Sequence, residues 1–210
     1  MNRIFFSLIL ALTGAFAIWN NMSPSSVTPA PIPSTPYLET ATFITPSKPI
    51  EQFSLIDSTE KPFSESSLLG HWTLMFFGYA TCPDTCPKTL AVISEAWKQL
   101  PKTITEDSLR FLFISLNPKT DTPQTLKGFL NRFDSSFVGL TGEPSVIQKL
   151  GKSCGIYSWE DPKTQSAHVK IIDHSATLLL LNPQGEIQAF FSPPHEPKAI
   201  AEDLKAILKR

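Results

Sequence analysis

Cysteine is scarce in this sequence, with three among 210 residues. That is too few for the disulfide framework that staples small exported domains, and an odd count leaves at least one thiol unpaired. Cysteine is therefore expected here as chemistry rather than as staple. Net charge is nearly absent as well, at −1. This removes the basic field that would draw nucleic acid and the acidic field that would gather cationic partners, so recognition has to come from a local site. No internal repeat is present. With 41% hydrophobic and 18% charged residues, the chain suffices for one well-filled core plus tails. Long hydrophobic runs are scarce too: the apolar run from Ile4 to Trp19 is shorter than the roughly 20 helical residues that cross a bilayer core comfortably.

That run nevertheless has the build of an export signal, with Arg3 ahead of it. Trp19 suits an interfacial anchor and Arg3 the cytoplasmic side, whereas Ala15-Phe16-Ala17 offers a small-x-small cleavage site. The expectation is a single-pass anchor over residues 1–21 in a bacterial inner membrane, with the domain facing the periplasm. Release into the periplasm after cleavage is the alternative. Residues 22–49, with Pro24, Pro29, Pro31, Pro33, Pro36, Pro46 and Pro49, read as an extended spacer. Residues 50–210 then form the domain.

Within that domain, FSLID followed by STEKPF suggests a hairpin near Phe53. WTLMFFGYA is a continuous apolar run bounded by glycine, fitting a strand buried on both faces. From Pro83, Leu90, Ile93, Ala96, Trp97 and Leu100 recur at helical spacing until Pro101 stops them. RFLFISL is a second buried strand, and a helix capped by Thr122 or Asp121 carries Pro123 in its first turn. A third helix is expected over 143–150. HVKII, ATLLLLN and EIQAFF follow as strands, the last two joined by a Pro183-Gln184-Gly185 turn, and a helix over 197–208 closes the chain. Alternation of strand and helix implies parallel pairing with right-handed crossovers. The whole is an α/β chain in a thioredoxin-like arrangement: a central mixed sheet flanked by helices, extended by an N-terminal hairpin.

The chemistry falls in GYATCPDTCPKTL, where the first buried strand gives way to the first long helix. Open α/β sheets build sites at the carboxyl ends of parallel strands. The helix N-terminus favours thiolates, which are both the nucleophile and the metal-binding form of cysteine. Cys82 and Cys86 are separated by three residues rather than the two of a disulfide oxidoreductase loop, which puts their sulfurs about one helical turn apart. They can form a disulfide if their Cα atoms come within about 7 Å, and they can equally make a soft two-sulfur chelate for Cu(I) or Zn. Such a chelate wants a third ligand. Of the four histidines, His71 at the amino end of the buried strand, His168 and His195 read as surface residues. His174, in IIDHSATLLLL, breaks two apolar runs in a loop facing the cysteines, and Asp173 either orients its imidazole or stays solvated. On spacing alone a solitary histidine is more often structural than a ligand, and both readings stand. Cys154 reads as a buried free cysteine, with a third redox thiol as the alternative.

FFGYATCPDTCP, ISLNPKTDTPQTL, VGLTG and IIDHSATLLLLNPQGEI resemble, in order, the segments of the Sco/SenC family, copper-binding assembly proteins of cytochrome c oxidase. The resemblance implies a thioredoxin fold that binds Cu(I) or Cu(II) through Cys82, Cys86 and His174. It implies delivery of copper to the oxidase copper-site subunit, with other periplasmic copper chaperones as further partners. Two positions depart from the family: Asn117 replaces an Asp before Pro118, and Thr120 replaces an Arg before D-T-P. A thiol-disulfide oxidoreductase using Cys82 and Cys86 as its redox pair stays open as the alternative, and with it the question whether the protein is an enzyme at all. A peroxiredoxin would need Thr where Tyr79 stands, and a structural zinc site would need a closed tetrahedral shell.

Overall fold

The computed structural model describes residues 38–156 and 176–209, with the backbone of 158–160 and 172–174. The anchor expected over 1–21, the spacer up to residue 37 and His168 lie outside them. Among the described residues no helix is long and apolar enough to cross a membrane.

The framework is a strand, β4 (Trp72–Gly78), whose residues after Trp72 are all buried. It pairs in parallel with β5 (Leu109–Ser115), from Trp72 opposite Leu109 to Gly78 opposite Ser115. A third parallel strand, β6 (Val138–Thr141), lies beyond β5. On the other side β4 meets the antiparallel hairpin of β9 (Leu178–Leu181) and β10 (Ile187–Phe191). Its turn contains Gly185 at φ 78°, a left-handed conformation that glycine adopts freely. The β2 (Ser54–Asp57) and β3 (Pro62–Ser64) hairpin extends the β6 edge. The sheet is mixed, in the order β1 (Ala41–Lys48), β10, β9, β4, β5, β6, β2, β3.

Its remaining member, β1 (Ala41–Lys48), falls inside the stretch read as spacer and pairs with β10. Pro46 hid it. Proline cannot donate to a ladder and is tolerated only at edges and bulges, and β1 is an edge strand whose register shifts between Phe43 and Lys48. Its start is held by Asp203, whose carboxylate accepts the N–H groups of Glu39, Thr40 and Ala41 at 2.7, 2.8 and 2.8 Å.

Alternation along β4 divides the core in two. Leu74 and Phe76 face one cluster, Met75 and Phe77 the other. The first cluster is covered by α1 (Thr85–Lys98), α2 (Pro123–Leu130) and α4 (Pro197–Leu208) through Leu90, Ile93, Leu126, Leu130, Ile200 and Leu204. The second is covered by α3 (Pro144–Ser153) through Ile147 and Leu150, together with Leu55 and Phe63 of the hairpin. The expected mixed sheet flanked by helices is present. A separate short ladder joins β7 (Ser158–Glu160) to β8 (Ile172–His174), antiparallel.

Candidate metal centre

Parallel strands leave their carboxyl ends free to build loops, and here two such ends are tied together. The N–H of Leu116, just past β5, donates to the Gly78 carbonyl at 2.7 Å. Beyond Gly78 the chain turns, with Cys82 N–H donating to the Tyr79 carbonyl at 3.2 Å. Asp84 occupies the N-cap of α1 but makes no side-chain cap; its carboxylate pairs with Lys88 Nζ at 2.6 Å instead. Cys82 takes up a donor of the first turn: its Sγ accepts the N–H of Cys86 at 3.4 Å. This is how a three-residue gap becomes one turn with both sulfurs on the same side.

Cys86 is fully buried and Cys82 half-buried. The Cys86 sulfur rests against Gly78, where a Cβ would lie 2.9 Å from it and 2.8 Å from the Phe113 ring. Only glycine lets the sulfur approach the strand this closely. The hydrogen bond with Cys82 and then burial push the Cys86 thiol well above its ordinary value, against a backbone hydrogen bond with Tyr79. The helix N-terminus favours thiolate, but without a cation the two sulfurs would have to share one buried space as anions. A bound cation reverses that balance, since its charge exceeds any other in the site. Neither cysteine is in a disulfide, so the bridge that the spacing allows is not formed here. Two neighbouring soft donors, one reachable from solvent, fit a soft cation such as Cu(I).

Among the described residues no three His, Cys, Asp or Glu side chains gather to hold a metal. His174 ends β8, opposite Ser158, and its imidazole and the Asp173 carboxylate lie outside the described residues. The structure therefore brings together Cys82 and Cys86 of the expected ligands. His71, read as a surface residue, is half-buried, its Nδ1 2.7 Å from the Asp107 carbonyl. His195 corrects its reading as a solvated loop residue: it is half-buried, with Nε2 2.7 Å from the carbonyl of Ala176. Cys154 is buried at the C-cap of α3, in the core cluster on the other face of the sheet from Cys86. Burial pushes its thiol from 9.0 up to about 11, against a hydrogen bond with Ser153 and the charge of Lys48.

Two contributors escaped the sequence. Gly78 looked like a strand boundary. Asp121 looked like an alternative helix cap, but Thr122 caps α2, its Oγ1 accepting the Thr125 N–H at 3.1 Å. Asp121 turns inward, accepting the N–H of Ala80 at 3.1 Å and the Ser115 hydroxyl at 2.7 Å. Burial raises its carboxyl above the usual range, against those two bonds and one from Thr120. At the two positions that depart from the family, the Asn117 carbonyl accepts the N–H groups of Thr120 and Asp121, each at 3.0 Å, and the Thr120 hydroxyl reaches Asp121 at 3.3 Å.

A Stutzerimonas stutzeri protein named for copper binding is 35% identical over 159 residues, 76% of each chain. The human mitochondrial protein SCO1 homolog is 29% identical over 152 residues, 72% of this chain and 50% of that one. The chain thus spans three quarters of the bacterial relative and about half of the human one. Among solved structures, Bradyrhizobium japonicum ScoI with copper bound superposes with a TM-score of 0.67 at 36% identity, over 75% of this chain and 98% of that one. Yeast Sco1 with copper bound gives 0.68 at 27% identity, over 77% and 89%. With the SCO1/SenC model matching residues 44–209 on top of this thioredoxin-like sheet and its cysteine loop, the chain belongs to the SCO1/SenC family.

Proposed function

We propose that this protein binds copper through Cys82, Cys86 and His174 and delivers it to the copper-site subunit of cytochrome c oxidase during assembly. The observation that carries the reading is the hydrogen-bonded pair of cysteines, not joined by a disulfide, at the start of α1, buried on one side and reachable on the other. Relatives of this family with copper bound support it. Copper is cargo here. Cys82 and Cys86 release their protons on binding and supply thiolates, and His174 supplies a neutral imidazole. The half-exposed Cys82 gives a partner's ligand a sulfur to displace first, so an open site with few ligands favours transfer over storage. The export signal expected over 1–21 and the proline-rich stretch after it support a tethered domain, beginning at β1 (Ala41–Lys48), working on the periplasmic side.

The test is copper stoichiometry of the purified chain. Cys82→Ser loses bound copper; full stoichiometry and unchanged affinity in that variant would sink the assignment. The same thiol pair also supports a second reading, reduction of the oxidase cysteines before they are metallated. His174→Ala separates the two. Loss of copper together with loss of oxidase assembly fits the chaperone, whereas loss of copper with assembly and dithiol exchange retained fits the reductase.

A further inference from the structure

Asp121 is fully buried, and a carboxylate in that position is costly unless its lone pairs are filled. Its own helix does not need it, because Thr122 is the cap. What it does instead is span two loops. One oxygen, Oδ2, accepts the N–H of Ala80 at 3.1 Å and the Ser115 hydroxyl at 2.7 Å. The Ser115 oxygen in turn accepts the N–H of Asn117 at 3.1 Å, which leaves the hydroxyl proton aimed at Asp121. Ala80 lies between Gly78, against which the Cys86 sulfur packs, and Cys82. Oδ2 faces these two donors and Oδ1 the Thr120 hydroxyl at 3.3 Å, so the side chain here has to accept.

We propose that Asp121 is a positioning residue for the copper loop: its buried carboxylate clamps Ala80 to the end of β5 and so sets where Cys82 stands relative to Cys86. The copper half of the test rests on the function proposed above. The clamp itself does not. Asparagine preserves it, because the amide oxygen accepts from both Ala80 and Ser115 while its NH₂ falls near the Thr120 hydroxyl, which rotates to accept. Alanine removes it.

The experiment uses the full chain in detergent, reduced and metal-free, and follows alkylation of each cysteine by iodoacetamide, with buried Cys154 as the internal control for general loosening. Asp121→Ala should speed alkylation of Cys82 roughly fivefold with Cys154 unchanged, as expected for a local opening, and Asp121→Asn should restore the native rate. Loaded with copper, Asp121→Ala should bind about tenfold more weakly, the usual cost of losing a residue that orients a ligand, with a shifted sulfur-to-copper absorption band; Asp121→Asn should keep both. A native Cys82 rate in Asp121→Ala, or Cys82 and Cys154 speeding together, overturns the proposal whatever happens to the melting temperature. If Asp121→Ala does not fold, Ser115→Ala replaces it, and a native Cys82 rate there overturns the proposal equally. A native chain that binds no copper would remove the function proposed above and leave the alkylation rates to decide the clamp.

Discussion

Cys86 and Cys154 are the same residue type, both buried, both at helix ends, on opposite faces of one sheet. Cys86 lies in the first turn of α1, where unpaired N–H groups favour a thiolate; Cys154 sits at the C-cap of α3, where carbonyls oppose one. Cys86 has a second sulfur as hydrogen-bond partner, half-open to solvent. Cys154 has Ser153, at 3.9 Å. Burial is thus common to both thiols, and helix end, sulfur partner and access are what set Cys86 apart.

The two sulfurs differ most in the glycines beside them. Gly78→Ala forces a Cβ against the Cys86 sulfur and the Phe113 ring, and should cost about 3 kcal/mol in urea denaturation, the upper end for overpacking, while weakening copper binding. Gly155→Ala, next to Cys154, meets nothing within 4 Å but holds φ at +74°. It should cost only about 1 kcal/mol, from the left-handed backbone, and leave copper binding as it is. Equal effects on copper would erase the distinction between the faces.

Titration separates the Cys154 side further. The folded Cys154 thiol titrates above the unfolded one, so its contribution to stability is whole below about pH 9 and lost as pH rises through about 11. Two units correspond to about 2 to 3 kcal/mol. Urea midpoints at pH 8 and pH 11 should fall further apart in the native chain than in Cys154→Ala, whose copper binding should be native. An identical pH slope in the two chains would contradict the burial of this thiol.

The smallest effect is expected at His195, which bonds the carbonyl of Ala176, packed against the cluster containing Cys86. His195→Ala should lower stability by about 1 kcal/mol, the usual value of one such bond; thermal melting checks it, and no change would return His195 to the solvated role its polar loop suggested.

Much of the fold was legible. The β4 and β5 runs are continuous and apolar, as strands covered on both faces must be, and α4 runs over the expected residues 197–208. The helix expected from Pro83 starts at Thr85, and the third helix, expected to end at Leu150, continues to Ser153. The edge strand β1 was not legible, because its pairing with β10 lies far away in sequence and its proline argues locally for a spacer. At the site, Cys82 and Cys86 could be read from spacing and from the strand-to-helix junction. His174 rested on family resemblance.

Local pattern alone was enough to put two sulfurs one turn apart at a helix start, since that needs only the period of a helix and the boundary of a strand. It could not reach Gly78 or Asp121. Gly78 matters because the Phe113 ring and the Cys86 sulfur converge on its missing side chain. Asp121 matters because it bonds a backbone group 41 positions away. Both roles exist only once parallel strands bring their carboxyl ends side by side, so they belong to the tertiary structure.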